Sequence, residues 1–123
     1  MKLFDEQYIV IEYIRGAYKK FADSLEEFPI LGVTFPTHYG YIKGYASEDN
    51  HDLDVFLGSG TIHGFMKVNR NDVPGGIETK ILLCVTNQEF EQIKQAYKVI
   101  IHQIEILTEP EILQYLQQFK REK

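Results

Sequence analysis

The segment at residues 35–58, FPTHYGYIKGYASEDNHDLDVFLG, constrains the fold more than any other part of this chain. Its first half combines strand-forming aromatic residues with glycines that permit tight bends. Four carboxylates then follow between positions 48 and 54, and the chain becomes apolar at residues 55–57. The pattern predicts two strands joined by an acidic turn, with some of the carboxylates held by a strand.

Strand signals fill most of the chain before residue 86, and helix signals dominate after it. We predict strands at residues 8–14, 33–45, 53–57, 61–69 and 78–85, with a loop at residues 69–76. Thr86 with Glu89, and Thr108 with Glu111, have the spacing of capping boxes that begin helices, and residues 99–107 between them could form a strand. This order predicts a single domain over residues 1–123, mostly β with some α, folded as a closed five-stranded OB-type barrel plus one or two C-terminal helices.

Length, charge and cysteine content narrow the functional classes. The 123 residues suffice for one domain, and the net charge of −5 argues against a nucleic-acid partner, whose binding face would be basic. A single cysteine, Cys84, allows no intramolecular disulfide and suggests a reducing compartment. No apolar run is long enough to cross a bilayer, so we expect a cytoplasmic, soluble protein without a membrane partner.

The acidic turn has two interpretations from its residue types alone. Asp and Asn favour turns because their side chains hydrogen-bond to the nearby backbone, so the cluster could be a solvated turn. Closely spaced carboxylates also repel one another unless a cation lies among them, which would make the turn a metal site. An EF-hand is excluded, since the glycine and the closing glutamate of that loop are not at their positions.

The central motifs resemble those of the family I soluble inorganic pyrophosphatases. FPTHYGYI at residues 35–42 looks like the family's Tyr-Pro-x-Asn-Tyr-Gly-Phe-Ile strand, and EDNHDLDV at residues 48–55 looks like its Asp-Gly-Asp-Pro-hydrophobic-Asp-Val signature. GFMKV at residues 64–68 and ETK at residues 78–80 are similar to the strand Gly-Val-Leu-Lys-Met and to the Asp-x-Lys that follows it. The resemblance covers roughly residues 8–85.

The resemblance implies magnesium-dependent hydrolysis of inorganic diphosphate to two phosphates by a metal-activated water. The physical demand is that cations neutralise the negative phosphates and lower the pKa of the attacking water. Mg²⁺ is the implied cofactor, with Mn²⁺ or another divalent cation as substitutes, and the implied partner is the small diphosphate substrate. A homo-oligomer is also possible, because members of the family associate.

The resemblance also implies a set of site residues. The metal ligands are Asp49, Asp54 and Glu78, with Asp72 and Glu12 as further candidates. The phosphate-binding residues are Lys20, Tyr39, Lys80 and Lys120.

Several positions depart from the family pattern. His51 stands where the family has the middle aspartate of its signature, so His51 or the adjacent Asp52 would assist the attacking water, with Tyr39 nearby. Glu27 stands where an arginine faces the substrate, and Ala22 where a glutamate follows the first lysine. These changes leave two alternatives open: a metal-dependent hydrolase of another phosphate compound, and a degenerate, non-catalytic domain that binds phosphate or a protein.

Overall fold

The computed structural model describes residues 8–71 and 73–121. In that part of the chain the strands are β1 (Ile9–Tyr13), β2 (Tyr18–Lys20), β3 (Gly32–Thr34), β4 (His38–Ala46), β5 (Asp52–Leu57), β6 (Ile62–Asn69), β7 (Ile77–Val85) and β8 (Ile101–Leu107). The helices are α1 (Asn87–Tyr97) and α2 (Glu109–Leu116), and short 3₁₀ turns span Pro74–Gly76 and Gln117–Phe119.

Two antiparallel hairpins, β4–β5 and β6–β7, form the centre of the main sheet. They join through a parallel pairing of β5 with β7, in which Val55 lies beside Ile81 and Phe56 beside Leu82. The complete order is β1-β4-β5-β7-β6-β8, while β2 and β3 pair separately as a two-stranded sheet. The acidic turn therefore lies inside the first hairpin, and the β5–β7 seam brings it next to the second.

The prediction of a closed five-stranded barrel was wrong. In the described residues β1 and β8 are the two edges of an open six-stranded sheet, and β2 and β3 bring the strands to eight. The segment at residues 33–45 is divided into β3 and β4, and the residues between them include Pro36, which lacks the N–H that a central strand would donate. The broader prediction of a mostly β protein with two helices toward the C-terminus is confirmed.

The two faces of the sheet carry separate cores. On one face Tyr39, Phe56 and Leu82 pack with Ile93 and Tyr97, the buried apolar side chains of α1. The opposite face has its own buried group, which includes Leu53, Val55, Ile81 and Leu83 together with Ile112 and Leu116 of α2. The two cores are separate because successive side chains of a strand point to opposite faces of the sheet.

Both predicted capping boxes are confirmed. The Thr86 hydroxyl accepts from the Glu89 N–H, and the Glu89 carboxylate accepts from the Thr86 N–H. Thr108 and Glu111 make the same reciprocal pair at the start of α2. Of the helices that the structure describes, neither is long and apolar enough to pass through a lipid bilayer.

Candidate active site

A buried polar cluster lies across the β5–β7 seam, on the face covered by α1. The Lys80 ammonium donates to the Tyr39 hydroxyl oxygen at 2.8 Å and to an Asp54 carboxylate oxygen at 2.9 Å. The Tyr39 hydroxyl in turn donates to the same Asp54 oxygen at 2.7 Å. Three side chains from β4, β5 and β7 thus form a closed triangle of hydrogen bonds beneath the protein surface.

Glu78 extends the cluster along β7. Its carboxylate lies 3.6 Å from the Lys80 ammonium and accepts from the Arg70 guanidinium at 2.8 Å. Glu78 is 4% exposed, so its charge depends on these two cations. Burial is the main reason that the pKa of Glu78 is raised, and repulsion from Asp54 and Asp49 raises it further. Lys80 and Arg70 act in the opposite direction but do not cancel this rise.

Lys80 and Tyr39 keep their protons at neutral pH. Burial alone would lower the pKa of Lys80, but its interactions with Tyr39, Asp54 and Glu78 leave that pKa well above the usual range. Burial is also the main reason that the pKa of Tyr39 is well above its usual range. The cluster therefore presents a fixed ammonium and a neutral phenol, both of them hydrogen-bond donors.

The cluster forms part of the wall of a cavity of about 470 Å³. Its polar lining consists of Lys19, Lys20, Glu27, Tyr39, Asp54, Arg70, Asn71, Glu78, Lys80 and Tyr97. Its apolar lining consists of Phe21, Ala22, Phe28, Val68 and Ile100. Four cationic and three anionic side chains line this space, which suits an anionic ligand.

Four polar side chains of this cavity were not predicted from the sequence, namely Lys19, Arg70, Asn71 and Tyr97. Lys19 lies on β2, with its ammonium 6.0 Å from the centre of the Tyr39 ring, and Arg70 follows β6. Tyr97 is the last residue of α1 and reaches the cavity from the helix. Its hydroxyl is buried and has no hydrogen-bond partner among the described residues. Because Tyr97 lines the cavity, its hydroxyl is available to donate a hydrogen bond to a group bound there.

The acidic turn is bound to β7 and ordered by its own hydrogen bonds. The Glu48 carboxylate accepts from the N–H and the hydroxyl of Thr79 at 2.9 and 2.6 Å. The Asp49 carboxylate accepts from the Ser47 hydroxyl at 2.5 Å and from the His51 N–H at 2.9 Å. Burial alone would raise the pKa of Asp49, but these hydrogen bonds lower it overall. Asp49 does not line the cavity, but its negative charge raises the pKa of Glu78.

Other candidates lie away from the cavity. The His51 side chain is 86% exposed, and the Asp52 side chain lies 3.5 Å from the Arg121 guanidinium. Glu12 is exposed on the edge strand β1, and Lys120 makes an isolated backbone bridge beyond α2. None of these four lines the cavity.

Two further candidates have different outcomes. Lys20 lines the cavity and forms an exposed ion pair with Asp23. Asp72 lies outside the described residues. The structure therefore brings Tyr39, Asp54, Glu78 and Lys80 together, with Lys20 along the same cavity, while their roles stay predictions.

The donor set fits Mg²⁺ in its chemistry, because carboxylate oxygens are the ligands that this hard cation prefers. Asp54, Glu78 and Asp49 come from different segments, and the charges of Asp54 and Asp49 both raise the pKa of Glu78. In the described part of the chain, however, no three His, Cys, Asp or Glu side chains are grouped so as to hold a metal ion. Lys80 and Arg70 neutralise Asp54 and Glu78 in this arrangement.

Comparison with known protein families shows which family the chain belongs to. The family model described as inorganic pyrophosphatase matches residues 4–120, so the chain belongs to the inorganic pyrophosphatase family. A search of curated proteins and a search of solved structures each gave no significant match. The resemblance seen in the motifs therefore extends over nearly the whole chain, including both helices.

Proposed function

We propose that this domain is a magnesium-dependent hydrolase that cleaves diphosphate into two phosphates. The observation that carries the proposal is the hydrogen-bonded triangle of Tyr39, Asp54 and Lys80 at the wall of a cavity with three further cationic side chains. A family match supports a pyrophosphatase-like activity, and the geometry supports an anionic substrate.

The cationic side chains would bind and orient the phosphates. Lys80 is buried and charged, and a charged donor in a poorly solvated site binds an anion more strongly than one in water. Lys19 and Lys20 extend the positive lining along β2. The unpaired Tyr97 hydroxyl would donate to a phosphate oxygen, which would relieve its cost of burial.

The carboxylates would hold the metal and accept the proton of the attacking water. Asp54, Glu78 and Asp49 are the proposed Mg²⁺ ligands, and bound Mg²⁺ supplies neutralising charge and a water of lowered pKa. Asp54 and Glu78 line the cavity and Asp49 does not, so we assign the first two the positions nearer the reacting phosphate. His51 and Asp52 stay candidates to assist the water. The cytoplasmic location and a homo-oligomeric state also stay predictions from the sequence.

Phosphate release from diphosphate tests the proposal. We expect release with Mg²⁺ and none with a chelator. Asp54→Asn should lower kcat by about a hundredfold or more, the scale of losing a carboxylate that accepts the proton of the attacking water. Glu105→Gln, an exposed change on β8 outside the cavity, is the matched control and leaves the rate unchanged. Wild-type turnover in Asp54→Asn, with folding verified by circular dichroism, would contradict the assignment.

One observation favours a second candidate, a phosphate-binding domain without catalysis. Lys80 and Arg70 form ion pairs with the carboxylates of Asp54 and Glu78, an arrangement that also fits a cation-lined anion receptor. Calorimetry with inorganic phosphate in chelator distinguishes the two functions. Binding without turnover on any diphosphate identifies the receptor, whereas turnover that requires Mg²⁺ identifies the hydrolase.

A further inference from the structure

The cavity has a second kind of lining that phosphate groups do not use. Phe21 and Phe28 lie edge to face, with their ring centres 6.1 Å apart, and both line the cavity. Ala22, Val68 and Ile100 complete this apolar lining. Phosphate oxygens gain nothing from such a surface, whereas an apolar or aromatic group is stabilised when it leaves water.

The aromatic lining is continuous with the anion-binding cluster. The Phe21 ring lies 6.3 Å from the Tyr97 ring, and the Arg70 guanidinium lies 5.9 Å above the Phe28 ring. Tyr97 and Arg70 thus belong to both linings. Tyr97 interacts electrostatically with Lys80, and the Arg70 guanidinium donates to the Glu78 carboxylate. One ligand could contact both surfaces at once.

The volume of the cavity fits an organic ligand. At about 470 Å³ it falls within the range of roughly 300–1,000 Å³ that is typical of pockets for small organic molecules. An inorganic diphosphate ion is much smaller and would fill only the polar part. The remaining space is the part lined by Phe21 and Phe28.

Charge also favours a substrate with fewer negative charges than inorganic diphosphate. Glu27 lines the cavity beside Phe28 and repels any phosphate oxygen placed near it. The same carboxylate can accept a hydrogen bond from an N–H or O–H group of an organic substituent. Esterification of one end of diphosphate removes a negative charge and supplies such a substituent.

We propose that the substrate of this site is a nucleoside diphosphate, whose flat base lies against Phe21 and Phe28 and whose donor groups face Glu27. This inference rests on the proposed hydrolase function and specifies its substrate class. In the reaction the water oxygen bonds to the terminal phosphorus, and the bond from that phosphorus to the bridging oxygen breaks. The bridging oxygen keeps the electron pair and leaves as the nucleoside monophosphate, while the water proton passes to a carboxylate of the site.

A substrate comparison with aromatic variants tests the proposal. The substrates are a nucleoside diphosphate, methyl diphosphate and inorganic diphosphate, compared by kcat/KM. We expect the nucleoside diphosphate to be the best substrate, and Phe28→Ala to lower its kcat/KM about tenfold or more, since stacking of a base on an aromatic ring contributes on this scale. The same variant lowers kcat/KM for methyl diphosphate much less, and Phe119→Ala, outside the cavity, changes neither.

A binding measurement separates failure of this inference from failure of the hydrolase function. Calorimetry uses the non-cleavable α,β-methylene analogue of the nucleoside diphosphate and, for comparison, imidodiphosphate. Tighter binding of the nucleoside analogue, lost in Phe28→Ala, supports the ligand class even if no substrate is cleaved. A preference for imidodiphosphate, or equal losses for both ligands in Phe28→Ala, overturns the inference even if diphosphate is hydrolysed.

Discussion

At the scale of single residues, Glu89 shows how a buried carboxylate stabilises the scaffold around the site. It is 3% exposed and accepts from the Thr86 N–H at 2.8 Å, from the Ser59 N–H at 3.1 Å and from the Ser59 hydroxyl at 3.0 Å. The Arg15 guanidinium also pairs with it. One side chain thus connects the start of α1 to the loop after β5 and to the segment after β1.

These contacts predict a loss of stability in acid. Burial would raise the pKa of Glu89, but the hydrogen bonds from Thr86 and Ser59 and the contact with Arg15 lower it to about 2, against 4.5 for the unfolded chain. The stabilisation is therefore complete above pH 4.5 and is lost as the pH falls toward 2. We expect Glu89→Gln to lower the free energy of unfolding at pH 7 by about 3 kcal/mol and to flatten its acid dependence.

Denaturant titrations between pH 2 and pH 7 measure this effect. Glu111→Gln is the matched control, because Glu111 occupies the same position of the second capping box but is exposed. It should change the acid dependence much less. An unchanged pH profile in Glu89→Gln would show that the depressed pKa does not stabilise the fold.

The sequence motifs identified four residues that the structure brings together, Tyr39, Asp54, Glu78 and Lys80. These four could be predicted from the sequence because each lies in a strand whose motif spans only a few neighbouring residues. Arg70 and Tyr97 were missed for the opposite reason. Arg70 belongs to a loop whose composition predicts only a turn, and Tyr97 has the spacing of an ordinary core residue, so its place in the cavity depends on how α1 packs on the sheet.

At the scale of secondary structure, the close approach of β1 to β4 fixes the strand that carries Tyr39. A Cβ added to Gly40 would lie 1.8 Å from the Val10 carbonyl oxygen, far inside van der Waals contact. Gly40 pairs with Ile11 on β1 and with Val55 on β5, so neither neighbour can move freely.

We therefore expect Gly40→Ala to lower the free energy of unfolding by about 3 kcal/mol, the upper part of the usual range for overpacking. Gly44→Ala on the same strand is the control. A Cβ added to Gly44 would meet open space, so Gly44→Ala should lower the free energy of unfolding by only about 1 kcal/mol, because of the φ of 83° at this position. Chemical denaturation compares the two, and a Gly40→Ala protein as stable as Gly44→Ala would contradict the packing described for β1.

The types of the secondary-structure elements could be predicted from the sequence, but whether the sheet closes into a barrel could not. The capping boxes and the hydrophobic periodicity located both helices and most strands, because these signals lie within a few residues of one another. Whether the sheet closes depends on pairings between distant strands, such as the parallel seam of Val55 with Ile81. No local pattern specifies that register, and the barrel prediction was wrong for this reason.

At the scale of the whole molecule, metal and anion should bind cooperatively. Lys80 and Arg70 occupy the carboxylates of Asp54 and Glu78 in this structure. A diphosphate offers these cations alternative negative oxygens, and the released carboxylates can then bind Mg²⁺. Each ligand would thereby raise the affinity for the other by the same factor.

Thermal unfolding measures this coupling. We expect Mg²⁺ alone, or imidodiphosphate alone, to raise Tm little, and the two together at a hundredfold excess over Kd to stabilise by about 2.7 kcal/mol, or roughly 10 °C. Arg70→Gln should make Mg²⁺ alone more effective, because one competing cation is removed. Arg121→Gln, whose guanidinium contacts Asp52 outside the cavity, is the control. A full shift of the wild type by Mg²⁺ alone would refute the coupling.

The division of the site between two hairpins also has a consequence for folding kinetics. Tyr39 and Asp54 belong to the β4–β5 hairpin, and Lys80 belongs to the β6–β7 hairpin. Each hairpin can form early because its contacts are close in sequence, whereas the parallel association of β5 with β7 must await both. A nascent or partly refolded chain would hence regain β structure before it regains any capacity to bind an anion, and ligand affinity would be among the last properties to recover.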